Sequence, residues 1–467
     1  MFIFEHYIFV KENRKNMTKY LVPFILILLI SCNEPEAAKA TYFGGKIINP
    51  KCSYVTLSDN YSFNDTIYLK KDNSFLGSYK NFKKGLYLFE HGPEHQYVYL
   101  EPKDSLLFRL NTWDFDESLV FSGKDAARNN ILIEAFLQTE QDNKNFSKFY
   151  NLSQDTFLKK IDSLKKIKHN IINNYKNSDN TISNDFIEIL NISLLYPIYA
   201  NLEQYAIHNF KKETPEKLVD SYFDYRSDIN SKKDSLIFFS PYYSFMIDKL
   251  YNDVYLKKDR SANFTVDLLH NIDSNITSEE IKNKLLYNTV VRHFFKEPNK
   301  KDKNKMFFTF FKLNTDIEQK KNIQRLINDL KVLQTGEKLP SFNLMNAKGE
   351  EKNISEIIGK KNTVILFKDY KHASDEWIAS RTNYLIRKNP EVNFVVVNLS
   401  TASKRYTKKI DIKHQYTLPK KSTVYNFSSS KFPRLVLIDN KGVITNGYTS
   451  LSSKGINLEV SNLHKNK

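Results

Sequence analysis

Cysteine is nearly missing from this 467-residue chain, which has two, Cys32 and Cys52. Two thiols permit at most one bridge, so a disulfide-stapled architecture is excluded. Long apolar runs are missing too. The longest near the front spans Tyr20 to Ile30, 11 residues, about half of the roughly 20 that a membrane-spanning helix needs. Acid is in deficit: 53 Asp and Glu face 70 Lys and Arg, for a net charge of +17. The excess is scattered in short lysine groups, with no single basic tract. A basic surface favours anionic lipid, glycan or nucleic acid, and no nucleic-acid motif accompanies it, so nucleic acid is not expected as a partner. Aromatic residues, at 14%, supply abundant core material.

The short apolar run follows Met17-Thr-Lys19, giving the basic and apolar regions of a signal peptide over residues 1–31, with Met17 the more natural start. It ends in Leu29-Ile30-Ser31-Cys32. A small residue before a lone cysteine resembles the lipobox of bacterial lipoproteins, which implies that Cys32 is lipidated and becomes the mature N-terminus. Two or three acyl chains anchor stably where one holds marginally. Removing residues 1–31 takes away four Lys/Arg and two Asp/Glu, leaving +15 from the original +17. About 435 residues then remain, enough for two to three domains. The expected location is the cell envelope, lipid-anchored, with the outer membrane preferred because Asn33 follows Cys32. With Cys32 acylated, Cys52 is the one free thiol; between two strand-like segments it reads as a quiet turn or small buried residue, with a reactive thiol as the alternative.

Residues 32–40 read as a tether. From 41 to 123 the apolar pattern has period two, as in Thr66-Ile-Tyr-Leu69 and Tyr97-Val-Tyr-Leu100, with Asp-Asn, Gly-Pro and Pro-Lys-Asp turns between runs; this predicts a small antiparallel β-sandwich. Over 124–335 the period becomes 3.6. Helix starts are signalled at Ser153, at Thr214-Pro215-Glu216 and at Thr277 or Ser278, and Ile161, Leu164, Ile167 and Ile171 mark a buried stripe. A bundle of six to eight helices is expected, its aromatic stretches filling core, with a ligand groove there as the alternative. The fold class is thus multidomain, α+β and α/β.

The last segment, 336–467, carries Asn362-Thr-Val-Ile-Leu-Phe367, a helical stretch from Asp375 to Lys388, Val392-Asn-Phe-Val-Val-Val397, and the hairpin Phe432-Pro-Arg-Leu-Val-Leu-Ile438-Asp439-Asn-Lys-Gly442. Strand, crossover helix, strand and antiparallel hairpin resemble a thioredoxin-like domain of the TlpA/alkyl-hydroperoxide-reductase type. Gly44 to Ile47, Lys84-Gly-Leu-Tyr87, Leu100-Glu-Pro-Lys-Asp104 and Phe121-Ser-Gly123 resemble the N-terminal domain that Bacteroidetes lipoproteins join to it. The resemblance implies a Cys-x-x-Cys beginning five positions after Phe367, where this chain reads His372-Ala373-Ser374-Asp375. Thiol-disulfide exchange needs an attacking thiolate and a resolving thiol, and neither is there. The resemblance also implies that Phe432-Pro433 is a cis peptide, leaving a backbone edge to pair with an extended guest, rimmed by Tyr370 and Trp377. A trans bond, or a covered face, ends that expectation. His372 and Asp375 read as helix-cap and surface residues, Ser374 forms no triad with them, and His414 with that pair is too weak a set for a metal; no catalytic residue, metal or cofactor is expected.

The functional expectation is a non-catalytic envelope lipoprotein binding a peptide, glycan or protein partner. The alternatives are a thiol-disulfide oxidoreductase of envelope redox homeostasis and a structural subunit of an envelope complex.

Overall fold

The computed structural model describes residues 40–178, 182–257, 262–298, 301–369, 374–399 and 406–463. The leader, Cys32 and most of the tether lie outside the described residues, as do Tyr370, His372 and Ala373. The chain forms two compact units, one holding residues through His208 with Phe238–Phe245, the other holding 209–237 and 246–467.

In the first unit, β1 (Thr41–Ile48), β2 (Tyr54–Ser58), β3 (Asn64–Tyr68), β4 (Ser74–Tyr79), β5 (Gly85–His91), β6 (Glu94–Leu100), β7 (Ser105–Asn111) and β8 (Val120–Ser122) form two four-stranded sheets, ordered β4-β1-β7-β8 and β3-β2-β5-β6. The alternating residues that carry the period-two pattern point into one core, where the Phe43 ring lies 5.5 Å from Phe108 and 5.8 Å from Phe89. The pairing is not wholly antiparallel as expected. Strands β1 and β7 run parallel, with β2 to β6 forming the crossover between them. Glycine permits that contact: a Cβ on Gly45 would stand 2.1 Å from the Phe108 carbonyl oxygen.

Three helices complete this unit: α1 (Ala126–Phe149), α2 (Gln154–Ser178) and α3 (Asn184–Phe210), the last reaching two residues past the unit. Consecutive asparagines of α1 seal both sheets. Asn129 accepts from the Tyr99 N–H (2.7 Å) and donates to its carbonyl (3.0 Å), while Asn130 does the same for Phe121 (2.9 and 3.0 Å). Tyr99 lies on edge strand β6 and Phe121 on edge strand β8, so each carboxamide stands in for a missing neighbour strand. The predicted stripe on α2 is rotated. Its buried face is Phe157, Ile161, Lys168 and Ile172, and Ile167 is 51% exposed. The reason is electrostatic: Lys168 is drawn inward to Asp142 (2.9 Å) and Gln138 (3.0 Å) on α1, turning Ile167 outward.

The second unit opens with an irregular stretch in place of the helix expected at Thr214-Pro215. Here Asn209 Oδ1 accepts from the Glu216 N–H (3.1 Å) and Asn209 Nδ2 donates to the Glu216 carbonyl (2.7 Å), which takes both backbone groups away from any helical ladder. Helix α4 (Ser240–Leu256) enters this unit at Met246, followed by α5 (Phe264–Asn275), α6 (Glu279–Lys296), α7 (Lys303–Leu313) and α8 (Ile317–Val332). Asp234 Oδ2 accepts from both the Thr277 and Ser278 amides at 2.7 Å, so a distant carboxylate caps the start of α6.

The C-terminal part has the thioredoxin-like architecture. β9 (Asn343–Met345), β10 (Glu351–Asn353), β11 (Thr363–Lys368), β12 (Asn393–Asn398), β13 (Gln415–Thr417), β14 (Arg434–Ile438) and β15 (Ile444–Thr449) make one seven-stranded sheet in the order β10-β9-β13-β12-β11-β14-β15. β11, β12 and β13 are parallel, and β14 and β15 turn back antiparallel. β11 and β12 are buried on both faces, which explains their unbroken apolar runs. Ile365, Phe367, Val395 and Val397 feed the core on one side; Val364, Leu366, Phe394 and Val396 feed the other, which includes Ile378 and Leu385 of the crossover helix α10 (Asp375–Lys388). The short helices α9 (Ile354–Ile358) and α11 (Ile456–Asn462) complete the fold. No described helix is long and apolar enough to cross a membrane.

Candidate functional site

The end of β11 and the start of α10 bring Asp375 to the second of the two positions where the resemblance places thiols, with Ser374 just before it; the first, His372, lies outside the described residues. Ser374 caps the helix, its Oγ accepting from the Trp377 N–H at 3.3 Å. Asp375 Oδ1 lies 3.0 Å from the ammonium of Lys368, which is 2% exposed. The same ammonium donates to Thr407 Oγ1 at 2.6 Å, and the Thr407 amide donates to Gln415 Oε1 at 2.8 Å. A buried cation, a carboxylate and a hydroxyl satisfy one another here. The set consists of oxygens and an ammonium: Ser374 serves the helix end, Lys368 is held by its partners, and no thiol stands among them.

Phe432-Pro433 departs from expectation. No described peptide bond is cis, so this one is trans. Phe432 is 4% exposed, with its ring 5.4 Å from Phe295 of α6. Alongside it, Asp329 of α8 accepts from the amides of Ser429 (2.9 Å) and Ser430 (3.0 Å). The edge expected to receive a guest strand is therefore covered by helices α6 and α8, and the amides beside it are spent on Asp329. The open peptide groove is corrected to a closed, packed face; Trp377, expected on its rim, is 39% exposed.

Arg434 locks that face. Its side chain is 1% exposed, and its guanidinium carbon lies 5.1, 5.3 and 5.7 Å from the ring centroids of Tyr448, Phe427 and Phe367. Burial draws its pKa down to about 10, so it remains charged at neutral pH. Three aromatic faces and the Asp329 charge offset part of the desolvation.

Cys52 is half-buried, in the β-sheet unit. Its thiol donates to the Tyr54 carbonyl at 3.2 Å and lies 3.5 Å from His91 Nδ1. His91 is no base for it. Its Nε2 accepts from the Lys51 amide at 2.9 Å, so Nδ1 carries the proton and donates to the Tyr54 carbonyl at 2.8 Å. His414 likewise uses Nδ1 on the Phe394 carbonyl, at 3.0 Å, and no metal-binding group of three His, Cys, Asp or Glu stands together among the described residues.

Sequence reasoning passed over a cleft of about 420 Å³ in the second unit. Tyr251 and Tyr255 of α4 and Phe264 of α5 form an aromatic wall, and Lys211, Lys296, Lys303 and Lys454 stand around it. His293 ties the wall together: Nε2 lies 2.6 Å from the Tyr251 hydroxyl and Nδ1 lies 3.0 Å from Thr265 Oγ1. The Phe264 and His293 rings are within 7° of parallel. His293 reads in the sequence as an isolated histidine because its partners lie 28 and 42 residues away. The only signal available was the alternative of a ligand groove among the helices.

No protein-family model and no curated protein sequence matches the chain. Among solved structures, it is similar to the thioredoxin domain of a thiol-disulfide oxidoreductase from Bacteroides vulgatus, with 21% identity over 28% of this chain and 97% of that one, at a TM-score of 0.23. A thiol:disulfide interchange protein from Bacteroides sp. matches at 21% identity over 24% of this chain and 80% of that one, at 0.21. A thioredoxin-like protein from Bacteroides caccae matches at 10% identity over 56% of this chain and 93% of that one, at 0.27.

Proposed function

We propose that the protein is a non-catalytic, lipid-anchored envelope protein in which the thioredoxin-like domain is a scaffold and binding of a peptide, glycan or protein partner is the function. The observation that carries this reading is the Lys368–Asp375 pair, 3.0 Å apart where a redox domain needs thiols. A buried ammonium held by the partly exposed Asp375 and by Thr407 fixes this surface and supplies no sulfur chemistry. The covering of Phe432 by Phe295 supports the same reading, since a working exchange site must admit a protein substrate beside it.

The test is an insulin-reduction assay on the full chain in detergent micelles. No turnover is expected; turnover that is lost in Cys52→Ser would overturn the reading, whereas turnover that persists in Cys52→Ser cannot come from thiols of this chain. The anchor is tested separately: the wild-type chain should partition with membranes and Cys32→Ala should not.

A further inference from the structure

Resting on that non-catalytic reading, we propose that the cleft around His293 is the binding site, and that its ligand is a small ring-bearing organic anion with two or more negative charges. Four lysines line it against one acid, Glu297, and that carboxylate is already held by Lys454 at 2.7 Å. Lys211, Lys296 and Lys303 are thus left in excess. Burial first, then the charges of Lys296 and Lys454, hold the Lys211 ammonium below the usual lysine range, with the Asp248 charge opposing them only in part. Burial does the same to Lys303, whose described acceptor is the neutral Pro298 carbonyl at 3.1 Å. Gathering like charges around a recess costs free energy that an anion recovers.

The aromatic wall selects for more than charge. Tyr255 and Phe264 sit with ring centroids 4.8 Å apart, and Phe264 is backed by the near-parallel His293. Tyr251 and Thr265 occupy both nitrogens of that imidazole, which fixes its plane. A rigid apolar surface beside cations suits a flat or puckered ring carrying phosphate, sulfate or carboxylate. The volume lies within the range of small-molecule sites, roughly 300 to 1,000 Å³. Such a ligand has two sources, a nucleotide or an acidic saccharide, and the cations and ring surface are common to both.

Calorimetric titration of the full chain in non-ionic micelles at low salt, with ADP, a sulfated uronic-acid disaccharide and inorganic sulfate as probes, tests this. One of the two ring-bearing anions should bind at least about tenfold more tightly than sulfate, and which one does so identifies the source. Lys211→Glu and Lys303→Glu should each weaken it by about tenfold or more, with unchanged melting temperature, while Lys352→Glu on the exposed β10 strand leaves it unaltered. Tyr255→Ala should abolish the preference over sulfate. The proposal is overturned if neither ring-bearing anion binds better than sulfate, or if Lys352→Glu weakens binding as much as Lys303→Glu, which would mean diffuse surface charge. Either result with a silent insulin assay rejects this ligand alone; thiol turnover that Cys52→Ser removes rejects the non-catalytic reading whatever the cleft binds.

Discussion

The ammonium of Lys368 stands 3.0 Å from Asp375 Oδ1, joining the last residue of β11 to the first of α10. These are the two elements between which a thioredoxin-like domain presents its reactive sulfurs. Here the junction is closed by charge, and Thr407 completes it at 2.6 Å from the same nitrogen.

Breaking that pair from one side leaves a buried charge unmatched. Asp375→Ala should cost about 3 kcal/mol in denaturant unfolding, while Lys368→Met combined with Asp375→Leu should restore most of it. Equal costs for the single and double variants would show that the pair contributes nothing specific.

Asp329 holds Ser429 and Ser430 through their amides and their hydroxyls, and it faces the buried Arg434. Asp329→Ala should therefore destabilise the second unit by at least about 3 kcal/mol, since it strands buried donors and a cation at once. Hydrogen exchange should rise at Ser429 and Ser430 first. A loss under about 1 kcal/mol would contradict the role assigned to it.

On the β-sheet unit, Asn129→Ala should cost about 1 to 3 kcal/mol, because the Tyr99 amide loses its partner inside the protein. Asn129→Asp should be worse, with a carboxylate facing the Tyr99 carbonyl that the amide now serves. Thermal unfolding of the three proteins orders them directly.

Burial holds the His91 imidazole below its usual range, its bond to the Tyr54 carbonyl opposing this only in part. The sign follows from which state binds the proton: a depressed folded pKa means that stability is present above the unfolded value of about 6.5 and is lost as pH falls through the folded one. The difference in unfolding free energy between wild type and His91→Gln should shrink as pH drops below about 6.5. An NMR titration that places His91 at or above the usual histidine range would refute the assignment.

Cys52 should alkylate with iodoacetamide at neutral pH no faster than an ordinary free thiol, since the neighbouring His91 nitrogen carries a proton instead of accepting one. Labelling far faster than a free-cysteine peptide would revive the reactive-thiol reading.

Much of this was written locally in the chain. Period-two runs marked the strands, 3.6-residue spacing marked the helices, and unbroken apolar runs marked β11 and β12 as buried on both faces, because each depends on neighbours a few residues apart. The absence of Cys-x-x-Cys was equally plain from the positions of the two cysteines, 32 and 52. Tertiary structure decided the rest. Asn209 turned the expected helix at Thr214 into an irregular stretch, Asp142 rotated α2 by drawing Lys168 inward, and Gly45 let β1 run parallel to β7. Phe295 and Asp329 closed the face over Phe432 from more than 100 residues away in sequence. Each of these is a contact between distant residues whose energy exists only once the chain has folded, and the cleft at His293, assembled from segments between Lys211 and Lys454, belongs with them.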